Sequence, residues 1–404
     1  MLSSRRRHEI VSVAGVVFCS ITAFAQSGPP PIGPLRTPPV EKFTINPGFR
    51  DWSPATVAGT TIVAGNQTGR GGLFAVDTLT GKLKWSHIPV FSTGTASVST
   101  PPTVSGDIVI TPYAAAYPGS VIAVSLATGK ELWRRLDPVQ DAAVAVDGGT
   151  AFILDKNGTF YALEAATGRE RWHAALSATR AGCASQPVIR DNTIYITGKA
   201  DATPGDKTKP EGAYLFALDA KTGQERWRYR ATEPNVYQAV CLHQPIVTAD
   251  TLYAAGGNRL YAVRRESGAE RWKPIEIRRP VEGQVRGVDL YGLVDAGRVL
   301  IGMTSVSLIA FDKDSGGTVW EIPGKYGTAP STAVAGNVLY FQGSPDSKPA
   351  VTSRGTLYAL DLDTHTLLWS FSRPTREANW SFGTVTPVDG GLWVGSYQAL
   401  VKLQ

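Results

Sequence analysis

Cys183 and Cys241 begin two segments, CASQPVIRDNTIY and CLHQPIVTADTLY, that align without a gap. Thiols at one position of a repeated unit could bridge in an oxidising compartment if their Cα atoms come within about 4.4–6.8 Å; the alternative is two buried thiols. His243 lies two residues after the second cysteine, while His8, His87, His173 and His365 are scattered. No two histidines stand at ligand spacing and neither cysteine has a nearby partner in sequence, so no metal site is read. Nor is a catalytic constellation: a lone histidine is more often structural or solvated than catalytic. No C-x-x-C-H is present to carry a covalent haem.

What can position these residues is a longer repeat. Seven stretches align without gaps: LFAVDTLTGKLKW, VIAVSLATGKELW, FYALEAATGRERW, LFALDAKTGQERW, LYAVRRESGAERW, LIAFDKDSGGTVW and LYALDLDTHTLLW, ending at Trp85, Trp133, Trp172, Trp227, Trp272, Trp320 and Trp369. The tryptophans recur every 39 to 55 residues, the period of a four-stranded propeller blade and too long for leucine-rich repeats. Each unit reads as strand A ending at a turn, strand B, an aromatic-Ala-aliphatic strand C, a Thr-Gly turn, and strand D ending in Trp. A glycine in the C–D turn (Gly81, Gly129, Gly168, Gly223, Gly268, Gly316) supplies a positive φ; His365 replaces it in the seventh unit and should strain or reshape that turn. A small alanine on strand C leaves room for an indole from the adjacent blade, so the seven tryptophans are docking residues.

After Trp369 the chain supplies strands A, B and C of an eighth unit and stops before D. Glu41–Ile45 (EKFTI) is expected to add itself as the missing strand, closing the ring and removing the exposed edges. The fold class is therefore all-β, an eight-bladed propeller of four-stranded antiparallel blades over residues 41–404, with seven blades as the alternative. Strand alternation puts the A–B and C–D turns on one face and the variable B–C and D–A connections on the other. Variable loops carry function more often than tight turns, so the variable face is the expected binding face. Residues entering each strand A should ring the channel mouth there: Arg50, Asp51, Trp52, Gln140, Asp141, Gln186, His243, Gln244, Arg286, Asp289 and Trp380. This mixture suits a polar ligand or peptide; the alternative is a hydrated channel lining.

Arg5, Arg6 and Arg7, an apolar stretch from Ile10 to Phe18 and Ala23-Phe24-Ala25 read as a secretory signal peptide over residues 1–25. The apolar stretch is shorter than the roughly 20 residues of a spanning helix. Acylation of Cys19 is disfavoured by the bulky Phe18 before it. Residues 26–40 form a proline-rich linker, and the protein is expected in the periplasm or outside the cell. The net charge of +6 falls to +4 once three leader arginines and Glu9 are removed, and the basic residues are scattered, not gathered into the patch of a nucleic-acid binder.

The aromatic-Ala-aliphatic-Asp, Thr-Gly-Lys, Trp pattern resembles the quinoprotein-like propeller family across the mature chain. That resemblance implies two readings, since the family holds both quinone-dependent dehydrogenases and non-catalytic scaffolds such as the assembly lipoprotein BamB. The scaffold reading implies a protein partner on the variable face and a monomer. The dehydrogenase reading implies pyrroloquinoline quinone (PQQ) with calcium in the central funnel, for which Arg286 and Asp289 are retained as candidates. Against it, the adjacent cysteine pair and long insertions of the alcohol-oxidising branch are missing here.

Overall fold

The computed structural model describes residues 33–45, 52–66, 71–90, 96–98, 100–115, 119–136, 144–155, 158–176, 185–200, 212–231, 242–281, 283–326, 332–344, 356–372, 382–396 and 399–404. They form eight four-stranded antiparallel blades in a ring, an eight-bladed β-propeller. In blade 1, strands A to D are Thr56–Ala58, Thr61–Gly65, Leu73–Asp77 and Leu83–His87. Strands A of blades 2 to 8 are Thr103–Ser105, Val144–Asp147, Val188–Arg190, Ile246–Val247, Leu293–Ala296, Thr332–Ala335 and Phe382–Val388. Strands A of neighbouring blades lie against one another and form the inner ring. Strand B of blades 1, 3 and 5 is buried at every position. It is covered by a neighbouring blade on each face, which is why it reads as a continuous apolar run and not as an alternation. Strand D is outermost and alternates in exposure, as in Glu225–Arg230.

The blades are joined by the tryptophans. Trp85 Nε1 donates to Leu126 O of the next blade at 2.7 Å, Trp133 to Ala165 O at 2.9 Å, Trp172 to Ala220 O at 3.2 Å, Trp227 to Arg265 O at 3.0 Å and Trp272 to Lys313 O at 3.3 Å. All five acceptors are the first residue after a strand C. The alanine of strand C is the cross-strand partner of its own blade's tryptophan, as Ala75 is of Trp85. The room for the indole comes instead from the turn glycine. A Cβ on Gly129 would lie 2.6 Å from Trp85, and one on Gly223 2.6 Å from Trp172. These glycines serve two needs, a φ near +70° and a flat seat for the ring. At the seventh turn His365 keeps the same conformation, φ +57°, and its ring lies 5.0 Å from that of Trp320. The turn is strained but not reshaped.

Glu41–Ile45 pairs with Leu400–Leu403 as strand D of blade 8. This strand has no tryptophan, and the two tasks of the indole are divided there. Phe43 occupies the seat: a Cβ on Gly81 would meet its ring at 2.5 Å. Lys402, opposite Phe43 where other blades have the strand C alanine, donates from Nζ to Thr78 O at 2.6 Å, the carbonyl equivalent to Leu126 O. Lys402 is only 6% exposed, and burial holds its ammonium below the ordinary lysine value. Blade 8 has no C–D turn, so Trp369 docks on the segment ahead of the closing strand and donates to Leu35 O at 2.9 Å. Leu35 N–H donates to Tyr340 Oη at 2.6 Å, and Arg36 pairs with Asp361. Residues 33–40, read as the end of a linker, are thus fastened to blade 7.

Lys402→Ala should cost about 1–3 kcal/mol in urea unfolding, the usual cost of stranding a buried carbonyl. Adding Phe43→Trp should recover at least half, because one indole then performs both tasks. A double variant no more stable than the single one would show that the division of labour is misread.

Candidate functional site

Strands A of neighbouring blades face one another across the junctions, and threonines at one register position tie three of those junctions. Thr386 Oγ1 of blade 8 donates to Ala55 O at 3.2 Å, Thr56 Oγ1 of blade 1 to Pro102 O at 2.5 Å, and Thr103 Oγ1 of blade 2 to Val144 O at 2.5 Å. Blades 3 to 7 carry Ala145, Val188, Ile246, Val294 and Ala333 at that position. Three residues earlier, Ser53 and Ser185 clamp strand B of their own blades: Gly65 N–H donates to Ser53 Oγ at 2.9 Å and Thr197 N–H to Ser185 Oγ at 3.1 Å.

Of the residues expected at the channel mouth, the structure describes six. Gln186 is 3% exposed; its Nε2 donates to Val144 O at 2.8 Å, while its Oε1 has no partner among the described residues. Gln244, at the same position in blade 5, is 7% exposed and likewise carries an unpartnered Oε1. Thr197 links the two, for its Oγ1 donates to Leu242 O at 3.0 Å. His243 takes the position of Ser53 and Ser185, and its backbone N–H donates to Ala255 O at 2.8 Å. Burial, partly offset by a hydrogen bond to the Leu290 backbone, holds its imidazole below the ordinary value. Trp52 packs with its ring 5.3 Å from Phe74 in the core between blades 8 and 1, 3% exposed.

Arg286 and Asp289 lie apart from this group. Between strand D of blade 5 and strand A of blade 6, Arg278–Val281 pairs with Gln284–Gly287 in a hairpin that joins no other sheet among the described residues. Arg286 sits opposite Arg279 on the outer strand, all of whose residues are exposed, Val285 by 61%. Asp289 is exposed at the base, where Val288 N–H donates to Ile277 O at 3.0 Å. Arg278 and Arg279 pair with Glu276 and Glu321 at 3.0 and 2.7 Å. Arg50, Asp51, Gln140, Asp141, Trp380 and both cysteines, Cys183 and Cys241, lie outside the described residues. Sequence reasoning missed the threonine ring and the hairpin. The first is visible in the common distance of Thr56, Thr103 and Thr386 from the A–B turn, and the second in Gly283 between Val281 and Val285.

Eight blades and the tryptophan–glycine junction define a propeller of the PQQ-repeat class. The chain belongs to the family described as outer membrane protein assembly factor BamB, whose model matches residues 44–138, 117–370 and 282–398. Among relatives, the chain is 31% identical over 127 residues to the serine/threonine-protein kinase AfsK of Streptomyces griseus, and 26% identical over 157 residues to BamB of Legionella pneumophila. These matches take in 31% and 38% of this chain but only 14% and 37% of those proteins. Among solved structures, BamB of Moraxella catarrhalis superposes with a TM-score of 0.66 at 15% identity, covering 91% of this chain and 99% of that one. The quinohemoprotein alcohol dehydrogenase of Comamonas testosteroni gives 0.65 at 14%, covering 90% and 76%. At these identities both likenesses show the fold alone.

His243 and His87 are both held below the ordinary imidazole value of 6.5 by burial. A depressed histidine favours its neutral form in the fold, so the stability it contributes is present above pH 6.5 and lost as the pH falls below it. His243→Ser removes one such group and places a hydroxyl where Ser53 and Ser185 have theirs. The variant should lose less stability between pH 7.5 and pH 5 than the parent in urea titrations. An equal loss would show that His243 does not titrate on unfolding.

Proposed function

We propose that the protein is an exported, non-catalytic binding propeller of the cell envelope, a monomer whose face of B–C and D–A connections holds a protein or peptide partner. The observation that carries this reading is the hairpin Arg278–Gly287. It forms a two-stranded sheet of its own that joins no blade among the described residues, and the residues of its outer strand are exposed. An exposed strand edge is a template for another chain. The family's description as an assembly factor points the same way.

The dehydrogenase reading is kept open by the fold it shares with the Comamonas enzyme. The described residues do not suit it. Arg286 and Asp289 are exposed on the hairpin and at its base, and among the described residues no group of three or more His, Cys, Asp or Glu converges to hold a calcium ion.

Two measurements separate these readings. A photo-crosslinker at Val285 should give a discrete adduct in the envelope of the source cell, whereas one at Leu79, 67% exposed on the opposite face, should give none. Adducts from Leu79 alone, or from neither position, would count against the variable face. In a thermal-shift titration, PQQ with calcium should leave the melting temperature unchanged. A saturable rise would establish binding to the native state and turn the argument toward the dehydrogenase.

A further inference from the structure

Each blade ends in an outermost strand D, a sheet edge, and every one of these edges is interrupted in the same way. The pairing of strand C with strand D carries a register shift in all eight blades, at Ala75/Val76 in blade 1 and Ala217/Leu218 in blade 4 for example, and at Glu41/Phe43 in the closing strand. A bulge turns an edge away from a flat partner. Charged side chains such as those of Glu225–Arg230 add to the effect. The hairpin Arg278–Gly287 differs: its four pairs, Arg278/Gly287, Arg279/Arg286, Pro280/Val285 and Val281/Gln284, run without a shift.

The alternation of bonds along that ladder is fixed twice over. Facing residues of an antiparallel pair exchange both main-chain hydrogen bonds or neither, in turn. Pro280 has no N–H, so Pro280/Val285 is a pair that exchanges neither. One step beyond Arg278/Gly287, Val288 N–H donates to Ile277 O at 3.0 Å, which makes that pair bonded and gives the same phase. The N–H and C=O of Val285 and Gly287 therefore point away from the inner strand, on alternate residues about 6.8 Å apart, and both residues are exposed. Val285 O accepts a 3.3 Å bond from Arg278 Nη2, whose guanidinium is also held by Glu276 at 3.0 Å. The opposite edge is closed. There Pro280 offers no donor and Arg278 O already accepts from Arg279 Nη1 at 2.7 Å, and a proline on an edge strand is a device against pairing.

Main-chain groups that recur at every second residue are matched by another extended main chain. Given the binding face proposed for the hairpin, on which this rests, we infer that the partner is held by strand addition: one extended segment of another protein pairs with the Val285–Gly287 edge, and the proline edge ends the sheet on the other side. A second copy of this chain fits poorly. An antiparallel two-fold pairing that uses both Val285 and Gly287 sets Arg286 directly opposite its own counterpart, at the closer, unbonded kind of pair, where like charges repel. The complement is a segment with an acidic residue at that central place, its two neighbours bonded to Val285 and Gly287.

The test is photo-crosslinking in the envelope of the source cell, with the crosslinker at Gln284 or at Arg286, which share one face of the strand. The two positions should capture the same partner at sites two residues apart in one segment. Two variants are then read from the Gln284 position. Val285→Pro removes an N–H that the hairpin does not use and should cut the adduct at least about tenfold, the equivalent of one stranded hydrogen bond, whereas Val285→Thr keeps that N–H and should stay within about twofold of the parent. Scattered capture sites, an adduct between two copies of this chain, a proline variant that crosslinks as well as the parent, or a threonine variant that falls as far as the proline one would each overturn strand addition. The spacing of the capture sites is read in the parent sequence around the edge and does not depend on how the proline variant folds. If strand addition alone is wrong, the parent still gives an adduct from Val285; if Gln284, Val285 and Arg286 all give none, the binding face itself is wrong and strand addition goes with it.

Discussion

The indole laid on a glycine turn is the interaction on which the ring depends. It joins blades edge to edge by one polar and one apolar contact, a hydrogen bond to the carbonyl that follows strand C and a flat stack on a residue without a side chain. Trp85 and Gly129, or Trp227 and Gly268, are two halves of one joint contributed by consecutive blades. The joint is met also where the repeat has run out. At the closing junction Phe43 and Lys402 share it, and at the one before, Leu35 lends the carbonyl that no turn supplies. Such substitutions show that the geometry, and not the tryptophan itself, is what the ring requires.

The two faces and the inner ring are built to different standards. Around the inner ring, threonine hydroxyls tie blades 8, 1, 2 and 3 in sequence, whereas Gln186 and Gln244, just ahead of the strands A of blades 4 and 5, are buried amides whose oxygens find no partner among the described residues. On the tight-turn face the same two blades give up their turn glycines, and the hairpin leaves the propeller just after blade 5. The regular part of the molecule is a frame, and irregularity gathers beside blades 4 and 5 on both faces.

Much of this was legible in the sequence because it repeats. Trp85 to Trp369 and Gly81 to Gly316 fix the period, and the absence of strand D after Leu403 called for Glu41–Ile45 to supply it. What repetition hides is any role that only one junction has. Lys402 aligns with alanines and so looks like an ordinary surface substitution, until Phe43 is placed opposite it and Thr78 O in front of it. Trp52 read as a rim residue because it precedes strand A, but its ring turns inward onto Phe74. Arg286 and Asp289 read as rim residues for the same reason. The ten residues of the hairpin, Arg286 among them, carry no repeat signal, and so gave no warning that the chain leaves the ring there.

The hydrogen bond from Lys42 Nζ to Gln404 Oε1, at 2.8 Å, spans 362 residues of chain. Bringing such distant segments together costs about 3 kcal/mol more in chain entropy than closing a ten-residue hairpin, and contacts of this range are the slow ones in folding. The strand that completes blade 8 emerges from the ribosome before any blade, and its partner emerges after all of them. Until then Glu41–Ile45 is an unclaimed edge at the leading end of a growing stack of blades. A polypeptide of this design carries that open edge while every blade is made, and only the arrival of Leu400–Leu403 makes the ring a closed object.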